Sequence, residues 1–203
     1  LMRIAKKYGA MCILLPLSDK GLPESLEEKK DIIRKLLAVA DEEGVPRDNL
    51  VIDGLVSTVG ANKMAAVETL ETIAFCKNEL GIPTVCGLSN ISFGLPERQF
   101  LNSAFLALAI ERGLTLAIAN PSQELLLNIA SATDLLLHKE GSSASYLDRM
   151  AALGGSEEAK PKGAPKETLS PEERVFQDVL SGDEKKITSD VEALLQTGKA
   201  AGE

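Results

Sequence analysis

Tryptophan is absent from this sequence, histidine occurs once, and aromatic residues make up only 3% of the chain. Basic residues are also short: 22 Lys and Arg stand against 30 Asp and Glu, a net charge of -8. Nucleic-acid binders concentrate Lys and Arg on one face. Here no basic patch is interleaved with aromatics, so no nucleic-acid partner is expected. No apolar run approaches the roughly 20 residues that span a bilayer, and the amino terminus lacks the charged and apolar regions of a signal peptide. A membrane partner is therefore not expected, and the expected location is cytoplasmic. Cysteine is limited to Cys12, Cys76 and Cys86, an odd number without CxxC spacing, each among apolar neighbours. They read as reduced structural thiols. Zinc needs closely spaced ligands that are missing, so no metal is expected. His138 stands near the end of an apolar helix face with no partner to make it a catalytic base, and reads as structural or charge-compensating.

What is present is a globular pattern. With 203 residues, 44% of them hydrophobic, the chain can bury one sizeable core. From Leu1 to His138 short apolar runs alternate with amphipathic segments, the signature of repeated β and α units around a parallel sheet. Strands are expected at Ala10 to Leu17, which is apolar enough for burial on both faces, and at Leu50 to Asp53, Thr84 to Gly87 and Thr115 to Ala119. A helix from Leu26 to Glu43 has a capping box in Ser25 and Glu28, an inner stripe of Ile32, Ile33, Leu36, Leu37 and Ala40, and a stop at Gly44. The next runs from Ala65 to Leu80, with Val67, Leu70, Ile73 and Ala74 inward and Gly81 as its stop. A third spans Leu101 to Arg112. Ser122 caps a fourth that carries Leu125, Leu126, Ile129, Ala130 and Leu136.

Beyond this region the texture changes. Residues 154 to 168 are rich in Gly, Ala, Lys, Glu and Pro with no apolar period, which reads as a linker. Ser170 and Glu173 make a second capping box, with Pro171 at the first helical position and Val175, Phe176, Val179 and Leu180 as its apolar residues. Ile187, Val191, Leu194 and Leu195 form a further stripe before Gly198. The expected division is 1–150, a linker at 151–169, and two α-helices within 170–203.

Thr84 to Arg98, TVCGLSNISFGLPER, is the most informative stretch. A short β-branched run empties into a Gly, Ser and Asn cluster before a helix, as where an α/β barrel delivers polar groups to its substrate. Cys86-Gly87-Leu88-Ser89-Asn90-Ile91-Ser92, followed by Arg98, Leu101-Asn102, Phe105-Leu106-Ala107 and Gly113-Leu114, resembles the pterin-binding family of methyltetrahydrofolate methyltransferases. The nearest likeness is to the folate domains of cobalamin-dependent methionine synthases.

The resemblance implies half of a TIM (β/α)8 barrel, strands five to eight, with Leu1 to Tyr8 as the tail of the preceding helix. The pair of helices after the linker resembles the start of the helical cap of a cobalamin domain. The chain opens on Leu1 rather than Met, and a piece of a larger enzyme is expected. The resemblance makes Asn90 the catalytic residue, stabilising the protonated N5 of 5-methyltetrahydrofolate as the methyl group leaves. A neutral amide suits that task because it can donate or accept. Asp53, at the end of the second strand, would bind the pyrimidine edge of the pterin through two donors. Ser89 and Arg98 are further substrate-binding candidates. Asn120, after the last strand, is another substrate-binding candidate, and its identity leans toward the methionine synthases. Cobalamin is the implied cofactor of the intact enzyme, held by its cobalamin domain and not by this chain alone.

Other readings stay open on the residues themselves. Asn90 and Asp53 could simply cap turns, and Arg98 could be solvated. A complete flavodoxin-like domain would match four βα units, although Pro16-Leu17-Ser18-Asp19-Lys20-Gly21 is a weak phosphate loop. The functional alternatives are a methyltetrahydrofolate:corrinoid iron-sulfur protein methyltransferase and a non-catalytic assembly module. A half-barrel would expose an inner face, expected to include Ile13, Ile52 and Val85, and leave both edge strands unpaired. A homo-oligomer, or pairing with the missing half-barrel, is expected in consequence.

Overall fold

A computed structural model of the chain describes residues 1–153, 170–172, 174–175 and 184–195. Two compact units divide it, Leu1–Gly154 and Gly155–Glu203. The first begins with α1 (Met2–Tyr8) and then alternates β1 (Cys12–Leu14), α2 (Leu26–Glu43), β2 (Leu50–Asp53), α3 (Ala65–Phe75), β3 (Thr84–Gly87), α4 (Arg98–Glu111), β4 (Leu116–Ile118) and α5 (Glu124–Leu136), ending with α6 (Ser142–Ala152). The four strands form one parallel sheet in the order β1-β2-β3-β4. This is an α/β fold built from successive βα units.

Helix boundaries follow local chemistry. Ser25 Oγ accepts from the Glu28 N–H at 3.2 Å, and the Glu28 carboxylate accepts from the Glu24 N–H at 2.8 Å, one residue earlier than a standard capping box. Gly44 closes α2 at φ 67, and the Val45 N–H reaches back to the Ala40 carbonyl at 2.9 Å. In α3 the buried Thr69 and Thr72 hydroxyls donate to the carbonyls of Ala65 and Glu68. One wide π turn, Cys76–Leu80, carries that helix on to Gly81 at φ 64.

Parallel register decides which side chains meet the helices. Partners across a parallel pair share a face, and side chains alternate along each strand. Leu14 pairs with Ile52, and both belong to the core formed with Ile33, Leu37 and Phe75. Cys86 packs with Ile73, Leu88, Phe105 and Leu106 in the neighbouring cluster. The opposite face therefore carries Ile13 and Val51, Asp53 and Val85, then Leu116 and Ile118. Its centre is covered, because Val51 and Val85 are buried, but Ile13, Leu116 and Ile118 are 52%, 48% and 59% exposed.

Several sequence expectations are corrected. Ile52 lies among the helix-facing core, not on the open face, because the period of two puts its neighbour Val51 there. The first strand is three residues long, and Ile13, Leu15 and Leu17 are exposed rather than buried on both faces. Val67 is 47% exposed and Leu136 is 79% exposed, off the inner stripes. Helix α4 starts at Arg98, a turn before Leu101. Ser122 does not cap α5; the N-cap position is Gln123, with no side-chain bond. His138 lies one residue past that helix's C-cap, exposed, at φ 53. Helix α6 went unread because it is short and buries little, Ser142 alone being buried, and it carries the first unit past residue 150.

In the second unit, the Arg174 N–H donates to the Ser170 carbonyl at 3.0 Å, and α7 spans Glu184–Leu195. Ile187, Val191 and Leu194 are half-buried on it, while Leu195 is 49% exposed. Glu173, Phe176, Val179, Leu180, Gly198 and most of the expected linker lie outside the described residues.

The two faces should respond differently to truncation. Ile52→Ala should lower unfolding free energy by about 2–5 kcal/mol, as for a buried large-to-small change, and Ile13→Ala by less than about 1 kcal/mol. Urea denaturation of the dilute chain checks this, and equal losses would contradict the assignment of faces.

Candidate functional site

All four strands run in one direction, so their carboxyl ends gather along one edge of the sheet. There β2 delivers Asp53, β3 delivers the turn Leu88–Ser92, and β4 leads to Asn120. The β2 and β3 ends are joined directly, since the Gly54 N–H donates to the Val85 carbonyl at 2.8 Å. Asp53 and the Ser89-Asn90 turn therefore rise from hydrogen-bonded neighbours.

Leu88 and Ile91 anchor the turn in the core, and Ser89 and Asn90 between them are exposed. Gly87 lies close beneath Asn90, since a Cβ there would stand 3.2 Å from Asn90 Nδ2. Arg98 straps the turn from the first residue of α4. Its Nη2 donates to the Ser89 carbonyl at 2.6 Å and its Nε to Ser92 Oγ at 3.0 Å. The Ser92 hydroxyl in turn donates to Oδ1 of buried Asn102 at 2.7 Å. From the β2 side, the Val59 N–H donates to the Ile91 carbonyl at 3.0 Å and Thr58 Oγ1 to the Phe93 carbonyl at 2.7 Å. The Asn90 turn is thus held by groups from α4 and from the loop after β2.

Asp53 is half-buried, and its Oδ1 accepts from the Leu55 N–H at 2.8 Å. The turn it caps is unusual. Leu55 has φ 48, a left-handed conformation that costs a non-glycine residue energy. Gly54 has no room for a side chain, since a Cβ would stand 2.7 Å from Cys86 Sγ. Beneath it, the buried Lys29 of α2 donates from Nζ to the Gly54 carbonyl at 3.3 Å. Burial pushes the Lys29 pKa down, opposed by the nearby carboxylates of Glu68 and Asp53. Burial likewise raises the Cys76 and Cys86 thiols to about 12, which leaves them protonated and unreactive at neutral pH.

Ser89 and Asn120 meet in a pocket of ≈ 300 Å³ that Leu88, Asn102, Ile118 and Gln123 also line. Asn120 Oδ1 accepts from the Ser122 N–H at 2.9 Å. Asn90 and Asp53 do not line this pocket. Sequence reasoning missed Lys29 and Asn102 as site residues, although both left a signal. Lys29 falls on the same helical stripe as Ile32, Ile33, Leu36 and Leu37, where a lysine is out of place. Asn102 stands four residues after Arg98, on the same face of α4. Among the described residues, no group of His, Cys, Asp and Glu is arranged to hold a metal ion, and no helix is long and apolar enough to cross a membrane.

Comparison with known proteins gives one family and several relatives. The profile of the family described as "Pterin binding enzyme" matches residues 1–120. The methionine synthases of Mycobacterium leprae and Mycobacterium tuberculosis are 32% and 33% identical over 135 residues, 63% of this chain and 11% of each relative. The methylcorrinoid:tetrahydrofolate methyltransferase of Eubacterium limosum is 26% identical over 155 residues, 66% of this chain and 55% of that protein. The chain thus spans about a tenth of the length of the methionine synthases it matches. A dihydropteroate synthase from Clostridium difficile, solved in the presence of pteroic acid, superposes with a TM-score of 0.56 at 24% identity, covering 68% of this chain and 55% of that one. That likeness supports a barrel-type fold.

Two outcomes test the site's construction. Arg98→Lys cannot serve two acceptors with a planar fork, so it should cost about 1 kcal/mol and speed amide exchange at Phe93, read by urea denaturation and hydrogen exchange. Lys29 binds fewer protons folded than unfolded between its lowered pKa and the ordinary 10.5, so its contribution to stability rises with pH through that window. Lys29→Met should remove that rise from the pH profile of unfolding free energy.

Proposed function

This chain belongs to the pterin-binding enzymes, and from that premise we propose that it is a folate-binding half-barrel of a methyltransferase that moves a methyl group from 5-methyltetrahydrofolate toward cob(I)alamin, as in methionine synthase. The observation that carries the reading is the pairing of Asp53 and the Ser89-Asn90 turn on hydrogen-bonded neighbouring strands. One supplies a carboxylate and the other an exposed neutral amide, at the sheet edge where parallel α/β folds bind ligands.

In this proposal Asp53 accepts the ring N–H and amino donors of the pterin. Asn90 donates to or accepts from N5, whose leaving-group ability depends on gaining a proton as the bond to methyl breaks. Arg98 holds the Asn90 turn through the Ser89 carbonyl, and in this proposal its contact with substrate is secondary to that clamp. Ser89 and Asn120 flank the adjoining pocket. Cobalamin enters only as an acceptor held by another domain, because the residues here do not fit a corrinoid site. The one histidine is exposed beyond α5 and stands in no cluster of ligating groups among the described residues.

The open apolar face of Ile13, Leu116 and Ile118 supports the barrel assignment, in which this sheet contributes strands five to eight. Its occupant in the proposal is the amino-terminal half of the barrel, with pairing of two copies as the substitute. The division into barrel half, linker and start of a cap is part of the same proposal. A second reading, methyl transfer with a separate corrinoid protein, rests on the Eubacterium limosum relative, which lacks the great excess length of the methionine synthases over this chain.

In a barrel completed by its amino-terminal half, Asn90→Ala should slow single-turnover methyl transfer by about 10²-fold or more, with binding weakened less. Asp53→Ala should instead weaken 5-methyltetrahydrofolate binding by about 2 kcal/mol. Near-normal transfer in the first and unchanged binding in the second, measured by rapid quench and calorimetry, would refute the two roles.

A further inference from the structure

The peptide joining Gly54 to Leu55 is gripped from both sides. Its carbonyl accepts from Lys29 Nζ at 3.3 Å, and its N–H donates to Asp53 Oδ1 at 2.8 Å. In a trans peptide these two groups point in opposite directions, so one partner pulls from the helix layer while the other pulls from the opposite side. We propose that Lys29 is a positioning residue for Asp53: by fixing the Gly54 carbonyl it orients the Leu55 N–H, which locks one carboxylate oxygen and leaves the other for a substrate donor. This rests on the reading of Asp53 as a substrate-binding group.

Three unfavourable features meet at this one turn. A lysine is 95% removed from solvent, where lysines are almost never placed without a partner. The non-glycine Leu55 is left-handed. Gly54 is squeezed against Cys86 Sγ and Thr69 Cγ2, at 2.7 and 3.3 Å from where a Cβ would be. A packed apolar side chain in place of Lys29 would serve stability as well or better, since a buried charge is weak support for a fold. Costs concentrated beside a candidate binding group, and not spread through the core, point to a site requirement. The charged and titratable groups around the ammonium come from every neighbouring element: Glu68 from α3, Asp53 from β2, Cys86 from β3 and Cys76 from the π turn. Glu68 and Asp53 oppose the burial that lowers the Lys29 pKa.

The test uses the full chain. Lys29→Met keeps the side-chain length and removes the donor. The Leu55 amide resonance should then move upfield and exchange about tenfold faster or more, while core amides such as Ile52 stay protected. In a barrel completed by its amino-terminal half, affinity for 5-methyltetrahydrofolate should fall about tenfold, and adding Asp53→Ala should weaken it little further, as coupled residues do. An unchanged Leu55 amide in Lys29→Met would overturn the proposal, as would a uniform loss of protection across the core. If Lys29→Met fails to fold, Lys29→Arg, which keeps the cation and moves the donor, is read the same way. A changed Leu55 amide in a completed barrel that binds no 5-methyltetrahydrofolate would uphold the positioning of Asp53 and remove the functional reading beneath it.

Discussion

The parallel pairing of β2 with β3, Ile52 against Thr84 and Asp53 against Val85, is the constraint on which the site depends. It brings two polar loops to the same edge and lets the Gly54 N–H bond the Val85 carbonyl. A slip of one residue would turn Asp53 into the helix layer and Ile52 out of it, at the cost of burying an unpaired carboxylate. The core enforces the register because Ile33, Leu37, Phe75 and Ile52 pack as one cluster.

From that base the site is built in tiers. Buried Leu88 and Ile91 pin a turn whose two intervening residues face solvent. Arg98, Ser92 and Asn102 then tie the turn to α4 through a chain of donors and acceptors. On the β2 side, Lys29, Gly54 and Leu55 do the same for Asp53. Both candidate groups are thus held by residues one step removed, which is how a site keeps its geometry before substrate arrives. The open sheet face beside them is apolar and partly exposed, so the same sheet carries both a polar edge and an unfilled hydrophobic surface.

Much of the secondary structure was legible. Helix α2 is bounded by Ser25 and Gly44 because a side-chain acceptor and a left-handed glycine satisfy its end groups, and these are local effects. Strands β2 and β3 were read to the residue, since each is a short apolar run between turn signals. Strand β1 was read too long, because an exposed apolar face and a buried one have the same composition. Helix α6 escaped because Ser142–Ala152 is short and carries few large apolar residues. Asn90, Asp53, Ser89 and Asn120 were placed at strand ends by pattern and family likeness. The clamping roles of Lys29 and Asn102 were not read, because a hydrogen bond across 25 or 10 residues leaves only a misplaced polar residue as its trace.

By itself the sequence determined the alternation of strands and helices, their caps, the motif Gly87-Leu88-Ser89-Asn90 and the family. These depend on neighbours within a few positions, where periodicity and capping chemistry act. Tertiary structure alone decided that Val51 and not Ile52 faces the open side, that Arg98 is spent on the Ser89 carbonyl and the Ser92 hydroxyl, and that Lys29 grips the peptide beneath Asp53. Each of those depends on pairing register and on which helix lies under which strand, and such long-range contacts exist only once the chain has closed on itself.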